Sequence, residues 1–287
     1  MNIVIENLRF SYGSKLVLNM RHAEFEQGKI YGIVGKNGVG KTTFFKALTN
    51  IITNYQGTVR IDGEAVKDNL KVLSKVGIVL DDMELYKQHT ALFNMRFFGG
   101  LRGGFNEEQA LKYVDELELT PALHQKISTY SLGMNKKLIL LIALINDAEI
   151  LIFDEPFRGL DAKSVQWFKS HLLELRNKGR MILISSHVQD DIESMCDEVK
   201  LIVDGDFHSS FDLNDTAQTY IYKVEVNNNE AFKALLQTQN IPYEQLEKLI
   251  KFECNENLYK ALFKEAVAQD IEFYRIKKES KFVDLIQ

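Results

Sequence analysis

The stretch GKNGVGKT, Gly35 to Thr42, constrains this chain more than any other eight residues. It matches G-x-x-x-x-G-K-[ST], follows the apolar run YGIV, and precedes a segment, Thr42 to Asn50, that reads as a helix. Glycines let successive backbone N–H groups turn toward one point and form an anion nest. A helix beginning at Lys41 aims the positive end of its dipole at that point. Lys41 adds a mobile charge for β- and γ-phosphates, and Thr42 adds a hydroxyl for Mg²⁺. A nucleoside triphosphate is therefore expected at Gly35, Lys36, Asn37, Gly38, Val39, Gly40, Lys41, Thr42 and Thr43. The plainer alternative is a glycine-rich turn with an exposed lysine, and the strand before and helix after argue against it.

A phosphate loop of this kind sits at the carboxyl edge of a parallel sheet, so other strands should deliver acids there. The run ILIFDEP ends in Asp154 and Glu155, placing Asp154 to hold Mg²⁺ and Glu155 to polarise a water for in-line attack. Two acids after a strand also suit a helix cap, but beside a phosphate loop the catalytic reading is preferred. The strand MILISS brings His187 to the same edge, where contact with the γ-phosphate or the attacking water is expected. The strand GIVL runs into Asp81 and Asp82, which have no basic neighbour in sequence. Asp82 reads as a solvated turn or helix-capping residue.

Continuous apolar strands alternating with helices predict an α/β fold with a parallel sheet buried on both faces. Residues 85 to 146 form a helical insertion, with helices near 87–98, 106–118 and 134–146, and the apolar face of LILLIALI is expected in the core. The segment FFGGLRGGF within it follows no strand, so it is no second nucleotide site and reads as a flexible loop between helices. Polar SSFDLNDT (209–216) reads as a linker. From residue 215 a small α+β appendage is expected: strands near 219, 248–253 and 271–276, helices 230–238 and 256–269. The divisions are thus 1–214 and 215–287.

Composition narrows the class. A chain of 287 residues buries about three quarters of its unfolded surface and needs no staple. Net charge −5 with mixed signs argues against nucleic acid as a partner. Cys196 and Cys254 lack metal or redox spacing, which fits free thiols in a reducing compartment, and Cys254 reads as a buried small hydrophobe. The N-terminus does not read as a signal peptide, and the longest apolar run, Leu138 to Ile145, is short of the ~20 residues of a membrane span. A soluble, cytoplasmic protein is expected.

The order GKNGVGKT, YSLGMNKKL, LIFDEP, GLD, SSH resembles the ATPase subunit of ABC transporters, from about residue 2 to 210. The resemblance implies a P-loop NTPase cassette, with a mixed sheet, a RecA-like core and a helical subdomain, followed by the α+β appendage. It implies ATP and Mg²⁺ as cofactors, and a second ATPase subunit closing head to tail. Each signature would then cap the ATP on the other's loop. Ser131 and Gly133 of YSLGM would donate to the γ-phosphate across that interface, and Asp161 would lie in it. The resemblance also implies that Tyr12 stacks on adenine, though an aromatic in a strand-end turn remains open. It puts Asp81 where the family has a glutamine that reaches Mg²⁺ and helps place the attacking water. The signature departs from LSGGQ at Tyr130, Leu132 and Met134 but keeps the serine and the second glycine. This form points to bacterial single-cassette exporters of peptide toxins or antibiotics, of the lantibiotic or phenol-soluble-modulin kind. An integral-membrane permease would then be a partner through the helical subdomain, holding the chain at the cytoplasmic face of the membrane. Two other readings stay open: a soluble ATPase of an assembly system of the iron–sulfur type, and a nucleotide-gated regulatory protein. Dimer support, regulation and stability are open roles for the appendage.

Overall fold

Period-two alternation breaks once in the first strand, and sheet pairing is irregular at the same place. In β1 (Asn2–Tyr12) Ile3 and Ile5 are buried, then Leu8 and Phe10, so the buried phase slips by one residue. Asn7 adopts φ 52° there, and the register with β4 (Gln56–Ile61) shifts between Glu6 and Arg9. A bulge absorbs the extra residue and returns the apolar side chains to the core. Gly57 of β4 has φ 84°, and a Cβ on it would lie 2.2 Å from the Asn7 carbonyl oxygen, so the close approach requires glycine. With β2 (Lys15–Glu26) and β5 (Glu64–Ala65) these strands form an antiparallel sheet in the order β2-β1-β4-β5.

The computed structural model describes residues 1–101, 105–145, 147–213 and 219–280. They divide into two compact units, one ending at Phe211 and the other beginning at Asp212. The first unit also holds a six-stranded sheet in the order β10-β9-β3-β8-β7-β6. Its strands are β3 (Ile30–Val34), β6 (Val76–Val79), β7 (Ile150–Asp154), β8 (Met181–Ser185), β9 (Glu198–Val203) and β10 (Asp206–Asp212). β3 runs parallel to β8 and β9, and β7 runs parallel to β6 and β8. Every residue of β3, β7 and β8 is buried, as continuous apolar runs require of strands covered on both faces. One core joins the two sheets, with Phe25, Phe44 and Phe45 among Ile5, Val59, Ile150 and Leu183.

Helix α1 (Lys41–Leu48) follows the phosphate loop, α5 (Ala162–Asn177) precedes β8, and α6 (Gln189–Glu193) follows it. Three helices lie between β6 and β7 in the chain: α2 (Ala91–Gly100), α3 (Glu107–Glu116) and α4 (Leu132–Leu144). Helix α2 starts later than the periodicity predicts because Thr90 caps it, accepting from the Phe93 N–H. Residues 138–144 of α4 are all buried, as the LILLIALI reading expects. Residues 102–104 of the GGLRGG segment lie outside the described residues.

The linker reading of 209–216 fails over its first half, because β10 extends to Asp212. The turn Asp204–Gly205, both at positive φ, is a hairpin signal, and Phe207 packs on the core. The rest of that segment, from 214, lies outside the described residues.

The second unit runs β11 (Thr219–Val226), α7 (Asn229–Thr238), β12 (Tyr243–Leu246), β13 (Leu249–Asn255), α8 (Glu256–Ala268), β14 (Phe273–Ser280). Its antiparallel sheet has the order β12-β13-β11-β14, the split βαββαβ arrangement. Phe232, Leu235 and Leu236 of α7 and Leu262 and Ala266 of α8 pack on Tyr222, Val224, Ile250 and Phe252. The strand β12, YEQL, has no buried residue and gave no apolar signal in the sequence.

Candidate functional site

The carboxyl edge of the parallel sheet gathers the phosphate loop, Asp154, Glu155 and His187 into one hydrogen-bonded series. The loop leads from β3 into α1 through Gly40, at φ 115°, where a Cβ would crowd the Val17 carbonyl oxygen at 3.1 Å. Lys36, Asn37 and Gly38 are exposed, whereas Val39 packs on the core and Thr43 is buried. The Lys41 ammonium curls back and donates to the carbonyls of Gly35 at 2.6 Å and Lys36 at 3.3 Å. Burial lowers its pKa, and the charges of Glu155 and Asp154 oppose that fall. The loop thus holds a cation over its own nest.

Asp154 is 2 % exposed and both of its oxygens are engaged. Oδ2 accepts from Thr42 Oγ1 at 2.5 Å, and Oδ1 accepts from Ser185 Oγ at 2.6 Å. Ser185 also accepts from the Glu155 backbone N–H at 2.9 Å. Glu155 sits at φ 47°, a left-handed conformation uncommon for a long side chain, and its Oε2 meets His187 Nδ1 at 2.8 Å. The series Thr42–Asp154–Ser185–Glu155–His187 therefore fixes both carboxylates relative to the loop. Ser185, fully buried, was not singled out from sequence. The sequence signal is a serine ending an otherwise apolar central strand, where a buried hydroxyl needs partners.

Other residues expected at the site lie as follows. Tyr12, at the end of β1, is 54 % exposed, its ring edge-on to Phe10 at 4.8 Å. Ser131 caps α4, accepting from the Met134 N–H at 3.2 Å, and its own O–H proton is still available to donate. Leu132 beside it is 90 % exposed. Gly133 lies against the loop after β7, where a Cβ would stand 3.3 Å from the Gly159 carbonyl oxygen. Tyr130 turns inward, donating to the Ala122 carbonyl at 2.8 Å, and burial pushes its pKa up to about 12. Asp161 caps α5 by accepting from Ser164 N and Oγ, each at 2.8 Å, and pairs with Lys137 at 2.8 Å. The Lys137 ammonium and these bonds hold its carboxyl well below the usual range.

Asp82 lies in the turn after β6 with its side chain 67 % exposed, as the sequence reading expects, and it takes a 2.9 Å bond from Lys46 of α1, which lowers its pKa. The carboxylate of Asp81 meets Lys136 of α4 at 3.5 Å and Arg158 at 3.4 Å. Thr42 and Asp154 meet each other, and Asp81 is not part of that contact. Cations brought by the fold from 36 to 77 residues away supply the partners that the local sequence lacks.

Residues 18–158 match the family model described as ABC transporter. The chain is 36% identical to the bacitracin transport ATP-binding protein BcrA of Enterococcus faecalis, over 71% of this chain and 67% of that protein. It is 31% identical to the lantibiotic transport ATP-binding protein SrtF of Streptococcus pyogenes, over 70% of this chain and 86% of that one. Its fold matches a dimeric ATP-binding cassette solved in a post-hydrolysis state with ADP and Pi. That match has a TM-score of 0.67 and 21% identity, and covers 74% of this chain and 99% of that one. By these likenesses the chain belongs to the ABC transporter family, as an ATP-binding subunit.

Proposed function

We propose that this subunit hydrolyses ATP in a closed pair with a second cassette and drives a separate permease that exports peptide antibiotics or toxins. The observation that carries the hydrolytic part is the unbroken series from Thr42 to His187. Lys41 and the backbone of Gly35 to Thr43 hold the phosphates, Glu155 polarises the attacking water, and His187 orients Glu155 and faces the γ-phosphate. Tyr12, exposed at the end of β1, is the surface for adenine. Mg²⁺ accompanies ATP: Thr42 and Asp154 are hard oxygen donors already 2.5 Å apart, a pair suited to a cation that takes its other ligands from phosphate and water. The cation supplies charge neutralisation of the phosphates. Ser131, Gly133 and Asp161 belong to the face that meets the second cassette, and the 90 % exposure of Leu132 supports an unfilled partner surface there.

The helical insertion is the seat for the permease. Val79, Met83, Leu85, Phe98, Ile139 and Ile142 line a pocket of about 150 Å³ where β6, α2 and α4 meet. Beside it Tyr86, Phe93 and Phe97 form an exposed aromatic group, with His89 stacked on Phe93 at 4.0 Å. A contiguous apolar patch of this kind suits an amphipathic helix of a partner. Among the described residues no helix is long and apolar enough to cross a membrane. In this reading the permease supplies the spans and holds the subunit at the cytoplasmic face.

The cargo is read from similarity to the bacitracin and lantibiotic transport proteins. Cells carrying this chain with its permease should survive peptide antibiotics that kill cells carrying Glu155→Gln with the same permease. Equal sensitivity to every bacitracin-like and lantibiotic peptide, with ATPase activity intact, would refute that cargo. Loss of ATPase stimulation by the permease should follow Phe97→Glu; unchanged stimulation would refute the docking site.

A further inference from the structure

The register of the parallel sheet brings an unexpected cation to the nucleotide edge. β6 and β7 pair in parallel up to Val79 opposite Phe153, so Asp81, two residues past the end of β6, and Arg158, four past the end of β7, both follow strands at the carboxyl edge. Arg158 follows Glu155 by three residues, with its side chain 68% exposed. Among the described residues its guanidinium meets one carboxylate, Asp81, through a single N–H at 3.4 Å. The second oxygen of Asp81 faces Lys136 at 3.5 Å. One carboxylate therefore answers two cations, and the cluster carries an excess positive charge.

Both contacts are longer than the 2.7–2.9 Å of a tight charge-assisted bond, and the pair is solvent-screened. Such a pair exchanges readily. The turn that carries it is anchored independently, because Asp82 is tied to Lys46 on α1, the helix that starts at the phosphate loop. A guanidinium can offer two parallel N–H groups to a phosphate, which the single contact with Asp81 does not use. A γ-phosphate carries more charge than one carboxylate and outcompetes it. Once Arg158 leaves, Asp81 and Lys136 balance one to one.

We propose that Arg158 binds the γ-phosphate of ATP, and that Asp81 is a positioning residue that holds Arg158 in reserve until ATP is bound. The proposal rests on the ATP-binding reading of the loop. It gives Asp81 a role that acts through Arg158 in place of direct contact with Mg²⁺. ADP lacks the γ-phosphate and leaves the Asp81–Arg158 pair in place.

The test is the affinity of the full-length chain for ATP and for ADP, measured by equilibrium titration with the non-hydrolysing Glu155→Gln background held constant. Arg158→Ala should weaken ATP by about tenfold, the worth of a charge-assisted hydrogen bond, with ADP unchanged. Arg158→Lys should recover part of the loss. Asp81→Asn should tighten ATP by roughly threefold and leave ADP unchanged, since it removes one weak exposed competitor. In the double variant Asp81→Asn should add nothing. ATP and ADP weakened alike by Arg158→Ala, or ATP unchanged, overturns the proposal. An undiminished Asp81→Asn effect in the double variant overturns the reserve role, because Asp81 then acts on the phosphate directly. ADP binding by every variant reports an intact loop, so failure of Arg158 is separable from failure of the nucleotide site itself.

Discussion

Replacing Ser185 with alanine should damage the site and the fold together, in amounts the structure sets. Ser185 is fully buried and has two partners: it donates to Asp154 Oδ1 and accepts from the Glu155 N–H. Alanine leaves the Glu155 N–H without an acceptor, which costs about 1–3 kcal/mol for a buried donor. It also removes a hydrogen bond to a charged group, worth about 1.5–3 kcal/mol. Glu155 is held at φ 47°, and release of that strain returns on the order of 1 kcal/mol. The net loss is about 1.5–5 kcal/mol, read as a lower denaturant midpoint in urea with little change in slope. The catalytic loss is larger. Glu155 freed from its anchor shifts the attacking water, and a displacement of about 1 Å costs roughly a hundredfold in rate. The ATPase assay should show a fall in kcat with KM for ATP nearly unchanged, because the loop is untouched. A variant within about 0.5 kcal/mol of wild type and with full kcat would refute the claim that this series holds the base.

Two further predictions follow from charges in the same unit. Lys41→Met should leave the nucleotide-free protein as stable as wild type or more so, since burial already disfavours the Lys41 charge, while ATP affinity falls by about a hundredfold or more; a stability loss equal to the affinity loss would contradict it. Asp161→Asn keeps the cap on α5 but loses the pair with Lys137, an exposed bond worth at most about 1 kcal/mol. The folded-state pKa of Asp161 lies below its unfolded value, so its charge stabilises the fold above an unfolded pKa of about 4. That contribution is lost as pH falls from there toward the folded pKa. The stability gap to Asp161→Asn, measured by urea titration, should be level from pH 7 to about 4 and close below it; a gap unchanged at pH 3 would contradict it.

What sequence made legible was chemistry carried by contiguous residues. GKNGVGKT, LIFDEP and SSH each state a residue type and a strand or helix end, and the family and the α/β fold followed from them. Partners that meet only in space were not legible. Asp81 and Asp82 looked unpaired because Lys46, Lys136 and Arg158 are 36, 55 and 77 residues away, brought in by α1, by α4 and by the pairing of β6 with β7. Ser185 looked like one more small residue ending a strand, since nothing local announces the acids it joins. The strand β10 was masked by polar residues on its exposed side, although Asp204–Gly205 marks the hairpin. Tyr243 to Leu246 has polar residues at its centre, and only the neighbouring β13 makes it a strand.

The most direct measurement is ATP turnover and assembly state of Glu155→Gln. The substitution keeps the size of the side chain and removes the charge of the base, while Lys41, Thr42 and Asp154 remain to hold the nucleotide. The account predicts a fall in kcat of about 10²–10⁴-fold, and a dimer that accumulates on size-exclusion chromatography with ATP and not with ADP. Hydrolysis at the wild-type rate would contradict it, because the water would then be activated by some group other than Glu155.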